Sequence, residues 1–432
     1  MSMTESAELR KDDLKSKRFL SYLPHSGFHN QRIALENGLT LSKVLNRTLL
    51  LPRCLIGAPV PFIKFDKLKS RLRFVNSRGL EHCEGNAIGL VSRECLEVGN
   101  QNWLDWSELI DLTSISKSVR LIKRTSFEDK QIHKLLNITQ PKTQVYQLKD
   151  VNKYQYRFLI GSQTDISSQI HLNLQKFQGW IDVQKFMDIK LKKIKLIELG
   201  SLFGSGRLKI LKHSDEDFRL IRTRFRKLMV FKSPQILSIS NFIAQAILQS
   251  FDSKKFYGVH VRVGDHLFRQ ESEEKVNQLI RSLVEEHLKL PFNTLKLALQ
   301  IDEDDEEKAL KPPKEKFHSV YNSKNSTTLK CRAPLHTKPE LEKYNVPLYI
   351  ATDAPSPLIE PSIIVLTKAF PCSFFLKDFD TSAIEDYQIP FVDALIVSQS
   401  TGVVGTDGST FSRFVTDVLF TTFHNIPIVE KG

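Results

Sequence analysis

Phe256-Tyr-Gly-Val-His-Val-Arg-Val-Gly-Asp265 is an apolar stretch that ends in charge. Tyr257, Val259, Val261 and Val263 alternate with Gly258, His260, Arg262 and Gly264. That period of two predicts a strand with one set facing a core and the other facing a crevice. Gly264 permits the turn that follows. The carboxyl ends of such strands are where α/β folds bind ligands. An arginine there suits a polyanion, because its guanidinium offers several donors in a rigid fork and keeps its charge. A plain strand with a structural Arg–Asp pair fits the same residues, so the motif alone leaves both readings open.

Downstream, Leu348-Tyr-Ile-Ala-Thr-Asp353 predicts a strand ending in Thr352 and Asp353, and Ser362-Ile-Ile-Val-Leu-Thr367 predicts the next one. Phe391 to Ser400 reads as an apolar helix carrying Asp393, and residues 403–415 run from strand through glycine turn into a final helix. Gly408, Ser409 and Thr410 stand at the start of that helix, where backbone N–H groups attract anions. Between these elements lie a charged helix, Glu271 to Leu290, and a charged insertion around 301–330 containing Pro312 and Pro313. Asp302 and Asp304 in that run form a D-x-D of the metal-binding kind. A solvated loop is the competing reading.

Upstream, Phe19–Leu23 reads as a strand, Pro24–Gln31 as a loop, Arg32 to about Leu45 as a helix and Thr48–Pro52 as a second strand. This βαβ unit sets the loop at a helix amino terminus. Gly27 permits an unusual backbone angle there, and Asn30, Gln31 and Arg32 supply side-chain donors; a simple turn capped by Asn is the alternative. His25 and His29 have metal-ligand spacing for a helix, but Gly27 between them argues against one. Residues from Pro59 to about Lys130 show no clean pattern, and Trp103 and Trp106 there are assigned to packing. Leu199–Leu208 holds three glycines around Phe203 and Arg207, with no evident strand before it, and is read as a loop. Helical patterning resumes at Asp215–Phe231 and again after Pro234, with Ile236, Ile239, Ile243, Ala246 and Ile247 at helical spacing. The resulting expectation is a polar tail over 1–18, one domain over 19–234 and a second over 235–432.

Two domains also suit 432 residues. Hydrophobic residues at 41% and charged residues at 26% indicate globular cores. The net charge of +13 favours anionic partners. Zinc-finger spacing, RNP-like strands and long basic helices are missing, which argues against nucleic acid. The five cysteines (Cys54, Cys83, Cys95, Cys331 and Cys372) form no C-x-x-C, so a zinc site is not expected. At least one thiol is unpaired, and up to two disulfides remain open. Met1–Arg18 lacks the apolar core of a signal peptide or anchor. Asn46, Asn137 and Asn325 head N-glycosylation sequons that matter only in a lumenal setting.

Taken together, the P-H-x-G-x-x-N-Q-R beginning at Pro24, Leu45-Asn-Arg-Thr-Leu, H-x-R-x-G-D at His260, I-A-T-D at Ile350 and S-T-F-S-R at Ser409 resemble the fucosyltransferase superfamily that includes the protein O-fucosyltransferases. The likeness runs from about Phe19 to Val429 and is vague in the middle third. It implies a GT-B architecture, two Rossmann-like domains facing across a cleft. It also implies a GDP-fucose donor and inverting transfer to a hydroxyl of an acceptor protein or glycan, with no obligatory metal. On the matching positions, Arg262 is the arginine that stabilises the β-phosphate as the glycosidic bond breaks. His260, Gly264, Asp265, Thr352, Asp353, Ser409, Thr410 and Phe411 fall where relatives hold guanine, ribose and pyrophosphate. Asn30, grouped with Arg262 as catalytic, and Gly27 and Phe28 fall on the loop near the sugar.

Two departures stand out: Val263 replaces the second basic residue of H-x-R-R, and Ser26 replaces the acid that serves some relatives as base. The base is therefore unassigned. A GDP-sugar-binding relative without catalysis, and a transferase using another nucleotide sugar, are the alternatives. Relatives work in the ER or Golgi lumen; with no signal peptide, this chain is expected to be either a cytoplasmic variant or a sequence lacking its first exon.

Overall fold

The computed structural model describes residues 17–57, 60–75, 101–152, 155–161, 180–183, 191, 193–211, 216–252, 254–264, 266–300 and 329–428. The chain forms two compact units, Met1–Met229 with Glu430–Gly432, and Val230–Val429. Both are α/β, and each is built on a parallel sheet.

In the first unit the strands are β1 (Phe19–Ser21), β2 (Thr48–Pro52), β3 (Cys54–Gly57), β4 (Gln101–Leu104), β5 (Leu121–Arg124), β6 (Val145–Leu148), β7 (Arg157–Ile160), β8 (Trp180–Asp182), β9 (Leu196–Leu199) and β10 (Leu208–Ile210). The main sheet has the order β5-β2-β1-β9-β6, parallel throughout. A small parallel sheet, β10-β7-β8, and an antiparallel pair, β3 with β4, complete the unit. Phe19, Leu50, Leu196, Ile132 and Leu136 form one core cluster, and Leu23, Leu55, Phe65, Leu68 and Phe127 form another.

The βαβ unit exists, but its loop is shorter than the sequence suggests. β1 ends at Ser21 and the helix begins at Phe28 instead of Arg32, with Gly27 as its N-cap. The helix is Phe28–Val44, and residues 31–42 are buried without exception. That burial explains the missed start: no polar face marks this helix. Its buried charges, Arg32 and Glu36, are paired inside. Glu36 would be raised by burial, but Arg222 and Arg226 on the Glu216–Leu228 helix and Arg32 hold it well below the usual carboxylate range.

β9 corrects the expectation that no strand precedes the Gly200–Gly206 loop. Its Leu-Ile-Glu-Leu sequence hides an acid in a central strand. Glu198 is buried there because Arg124 Nη2 at 2.7 Å and Lys69 Nζ at 2.6 Å neutralise it. Burial works against its ionisation, but these two cations outweigh it and lower its pKa to about 2.

The second unit contains β11 (Tyr257–Val261), β12 (Leu348–Thr352), β13 (Ser373–Phe374) and β14 (Gly402–Gly405), in the parallel order β13-β12-β11-β14. Val259, Val261 and Val263 pack with Val276, Leu279, Ile280 and Ile350 in one core. The other face is also covered. A Cβ on Gly258 would lie 2.8 Å from the Val397 carbonyl of the Ile389–Ser398 helix, so that helix passes directly over the strand. Gly258 and His260 therefore face a packed helical layer and not the expected crevice, as a parallel sheet buried on both sides requires. The strand itself stops at Val261, one residue before Arg262.

The predicted strand Ser362–Thr367 is a helix, Pro361–Ala369. Pro361 at its first position presets helical φ, and the buried residues Ser362, Ile363, Leu366, Thr367 and Ala369 recur at helical spacing. The β-branched run misled because its pattern was read without the proline. The charged helix is Ser272–Ser282, continued as wider turns through Leu288. Cys331 and Cys372 are disulfide-bonded, joining residues 41 apart, and Cys54 is a buried free thiol. Cys83, Cys95, Asn325 and the D-x-D aspartates Asp302 and Asp304 lie outside the described residues. No helix among the described residues is long and apolar enough to cross a membrane.

Candidate anion-binding site at the end of β11

The second sheet reverses direction at β11: β12 and β13 lie on one side and β14 on the other. At such a reversal point α/β folds place a ligand crevice outside the carboxyl ends of the strands. Arg262 and Gly264 lie on a first loop, after β11, and Thr406, Gly408 and Ser409 on a second, after β14.

Asp353 sets the geometry of the first loop. Its Oδ1 accepts the backbone N–H groups of Val263 at 2.8 Å and Gly264 at 3.0 Å, and its Oδ2 pairs with Arg262 Nε at 3.1 Å. Gly264 is needed for this approach, since a Cβ there would sit 2.6 Å from Asp353 Oδ2. Arg262 retains 34% side-chain exposure. Thr352 turns inward to its own loop, its hydroxyl accepting the Ala354 N–H at 3.2 Å.

Thr406 joins the two loops. Its Oγ1 accepts the Arg262 N–H at 2.9 Å and donates to the His260 carbonyl at 3.2 Å, which also accepts the Thr406 N–H at 3.0 Å. Thr406 is buried. It lies within the 403–415 stretch, but nothing local in Gly405-Thr-Asp-Gly408 sets it apart from its neighbours.

His260 is buried and is linked by Nδ1 to Ser412 Oγ at 2.8 Å, with the Phe411 ring 5.1 Å away. Burial first, and the nearby Arg262 second, push its pKa down to about 3. It is a neutral imidazole at physiological pH and contributes a hydrogen bond, not a charge. Ser409 is the N-cap of the following helix, its hydroxyl accepting the Ser412 N–H at 3.2 Å. Thr410–Phe414 continues without a break through Val415–Phe420 and Thr421–Phe423, so the crevice faces the start of a long helical run. Thr410 and Phe411 are half-buried at its first turn. Asp265, also expected here, lies outside the described residues.

In the first unit the sheet reverses between β1 and β9. The loops at that point are tied together, with His25 Nε2 2.6 Å from Ser201 Oγ and His25 Nδ1 2.8 Å from Ser26 Oγ. Ser26 has φ of 66°, a left-handed conformation uncommon for a residue with a side chain. Gln31 is a buried strut, not a ligand donor: its Nε2 donates to the Ser26 and Leu55 carbonyls, and its Oε1 accepts the Leu55 N–H. Arg32 is likewise buried, against His29 and Glu36. Gly27, Phe28 and Asn30 are half-buried at the start of the helix, and Phe28 packs 5.9 Å from Trp106. Arg207, in the stretch read as a loop, is fully buried and donates to the Tyr156 carbonyl. Among the described residues no three His, Cys, Asp or Glu side chains converge in a way that could hold a metal ion.

The fold and this site thus define an α/β protein with an arginine-bearing crevice at the reversal point of its second sheet. No family model matches the sequence, and no curated protein matches it. The chain is similar to solved structures of POFUT1 in complex with GDP-fucose, at 11% identity and TM-score 0.38, with 93% of each chain covered. It is also similar to POFUT1 in complex with GDP, at 11% identity and TM-score 0.39 over 93% of this chain and 94% of that one. The apo form matches at 11% identity and TM-score 0.39, with 95% of each chain covered.

Proposed function

We propose that the crevice beyond β11 binds the diphosphate of a nucleotide sugar and that the protein is a glycosyltransferase, with GDP-fucose as donor and a protein Ser or Thr hydroxyl as acceptor. The observation that carries this reading is Arg262 at the sheet-reversal point, clamped by Asp353 and Thr406 and still partly exposed. In the transfer, the acceptor oxygen bonds to the sugar C1 as the bond from C1 to the β-phosphate oxygen breaks. The electron pair leaves with GDP, and the hydroxyl proton passes to a base that the sequence does not identify. Negative charge grows on the departing diphosphate, where a preorganised guanidinium is most effective. The start of the 410–423 helical run adds N–H groups of the same polarity. Configuration at C1 inverts in this single displacement.

Because Arg262 can supply the cationic role, the proposal includes turnover without an obligatory metal. Asn30, with Gly27 and Phe28, is assigned to the sugar side. A GDP-sugar-binding protein without catalysis is the second reading, favoured by Ser26 in place of an acid, with its hydroxyl engaged by His25.

A donor-hydrolysis screen across GDP-fucose, GDP-mannose and UDP-sugars, with and without EDTA, tests all of this. GDP release from GDP-fucose that persists in EDTA is expected. Binding of GDP without release supports the second reading, release only from another donor reassigns the sugar, and activity lost to EDTA and restored by manganese removes the metal-independent mechanism.

A further inference from the structure

Arg262 is followed by the uncharged Val263. A lysine from another element approaches the neighbouring β14 loop. Lys275 lies on the Ser272–Ser282 helix, next to core residue Val276, and that helix packs against β14. A Cβ on Gly408 would meet Lys275 Nζ at 3.9 Å. Gly408 has φ of +76°, the left-handed conformation that favours glycine. The ammonium is thus brought to the β14 loop, one residue before the N-cap Ser409. The lysine is mostly buried, at 19% side-chain exposure, and is steadied by Glu271 Oε2 at 3.2 Å and by the Phe268 ring 5.5 Å away.

We infer that Lys275 is the second cation of the diphosphate site, contacting the nucleotide phosphates from the side of the β14 loop while Arg262 acts from the β11 loop. This rests on the proposed nucleotide-sugar reading and extends it. The anions beside Arg262, beside Lys275 and on the β14 loop differ in how firmly they are held. Asp353 is tied by two backbone N–H groups, whereas Glu271 is 52% exposed and Asp407, paired with Arg413 at 3.7 Å, is 78% exposed. Exposed pairs of this kind are weak. A diphosphate therefore displaces Glu271 from Lys275 at small cost, while the Asp353–Arg262 pair persists and orients the arginine.

Calorimetry with GDP, GMP and guanosine on the full chain and on Lys275→Gln, Lys275→Arg and Glu271→Gln tests the assignment. Loss of one charge-assisted contact predicts about a tenfold weaker GDP affinity for Lys275→Gln, a smaller loss for GMP and none for guanosine. Lys275→Arg restores most of the affinity, and Glu271→Gln tightens GDP about two- to threefold by releasing the lysine. Unchanged GDP affinity in Lys275→Gln overturns the inference and leaves the nucleotide-sugar reading standing. An equal loss for guanosine overturns it too, by showing a structural effect. Failure of the unmutated chain to bind GDP overturns both.

Discussion

Asp353 and Arg262 are joined through one carboxylate that does two things at once. Oδ2 pairs with the guanidinium Nε, while Oδ1 accepts the N–H groups of the next two residues, Val263 and Gly264. The arginine's side chain and the backbone turn that presents it are set by the same group. Asp353→Asn keeps an acceptor for the turn and removes the charge beside Arg262. We expect turnover to fall about 10- to 100-fold, on the scale of one charge-assisted hydrogen bond, with a melting temperature within a few degrees because the pair is part-exposed. Turnover and melting measured on one preparation check this; unchanged turnover would show that the pair does not orient the arginine.

Arg262→Lys keeps the charge and loses the fork. Turnover should fall by about two to three orders of magnitude, the usual effect of removing one preorganised donor. GDP affinity should fall less, and the melt should stay close to that of the parent. A variant that turns over normally takes Arg262 out of the mechanism, and one that melts far lower marks it as structural.

Thr406→Val replaces a buried hydroxyl that accepts the Arg262 N–H and donates to the His260 carbonyl, with little change in volume. Leaving those groups without it costs roughly 1–3 kcal/mol. The expected result is a lower melting temperature together with reduced turnover, both largely rescued by Thr406→Ser. Equal failure of the Ser variant would point to the methyl group instead of the hydroxyl.

Asp393 gives the second unit a pH-dependent term. It is buried under the sheet, accepts a hydrogen bond from the Tyr349 hydroxyl at 2.6 Å, and has its pKa pushed up by burial to about 7. Against an unfolded value of about 3.9, the folded state holds an extra proton between those pH values. Its contribution to stability is therefore fully present below about pH 4 and declines as pH rises to about 7. Asp393→Asn removes this term. The melting temperature of the variant relative to the parent should rise between about pH 5 and pH 8, by roughly 5 °C for a unit of this size. A constant difference across that range would show that Asp393 does not titrate there.

The sequence by itself located several of the strands and the residue types that stand at their ends. Thr48–Pro52 was read to its ends, Leu348–Thr352 to within one residue, and the β14 strand, glycine turn and helix in the right order. Alternation, glycines and apolar runs are local properties, so they can be read without neighbours. The helix at Pro361 was lost because a β-branched run satisfies either period when the start signal is overlooked. β9 was lost because Glu198 is tolerable in a strand only once Arg124 and Lys69 arrive from elsewhere in the chain.

Tertiary structure alone decided which polar residues are available to a ligand. Arg32 and Arg207 carry the same guanidinium donors as Arg262, and Gln31 carries an amide, but folding turns all three into struts by giving them buried carbonyls, an imidazole and an acid as partners. Thr406 meets Arg262, and Lys275 meets Gly408, through packing between segments more than 130 residues apart in the chain, a proximity no local pattern records. Residue type states what a side chain can bind. Only the fold decides whether that capacity is spent inside the protein or left facing the crevice.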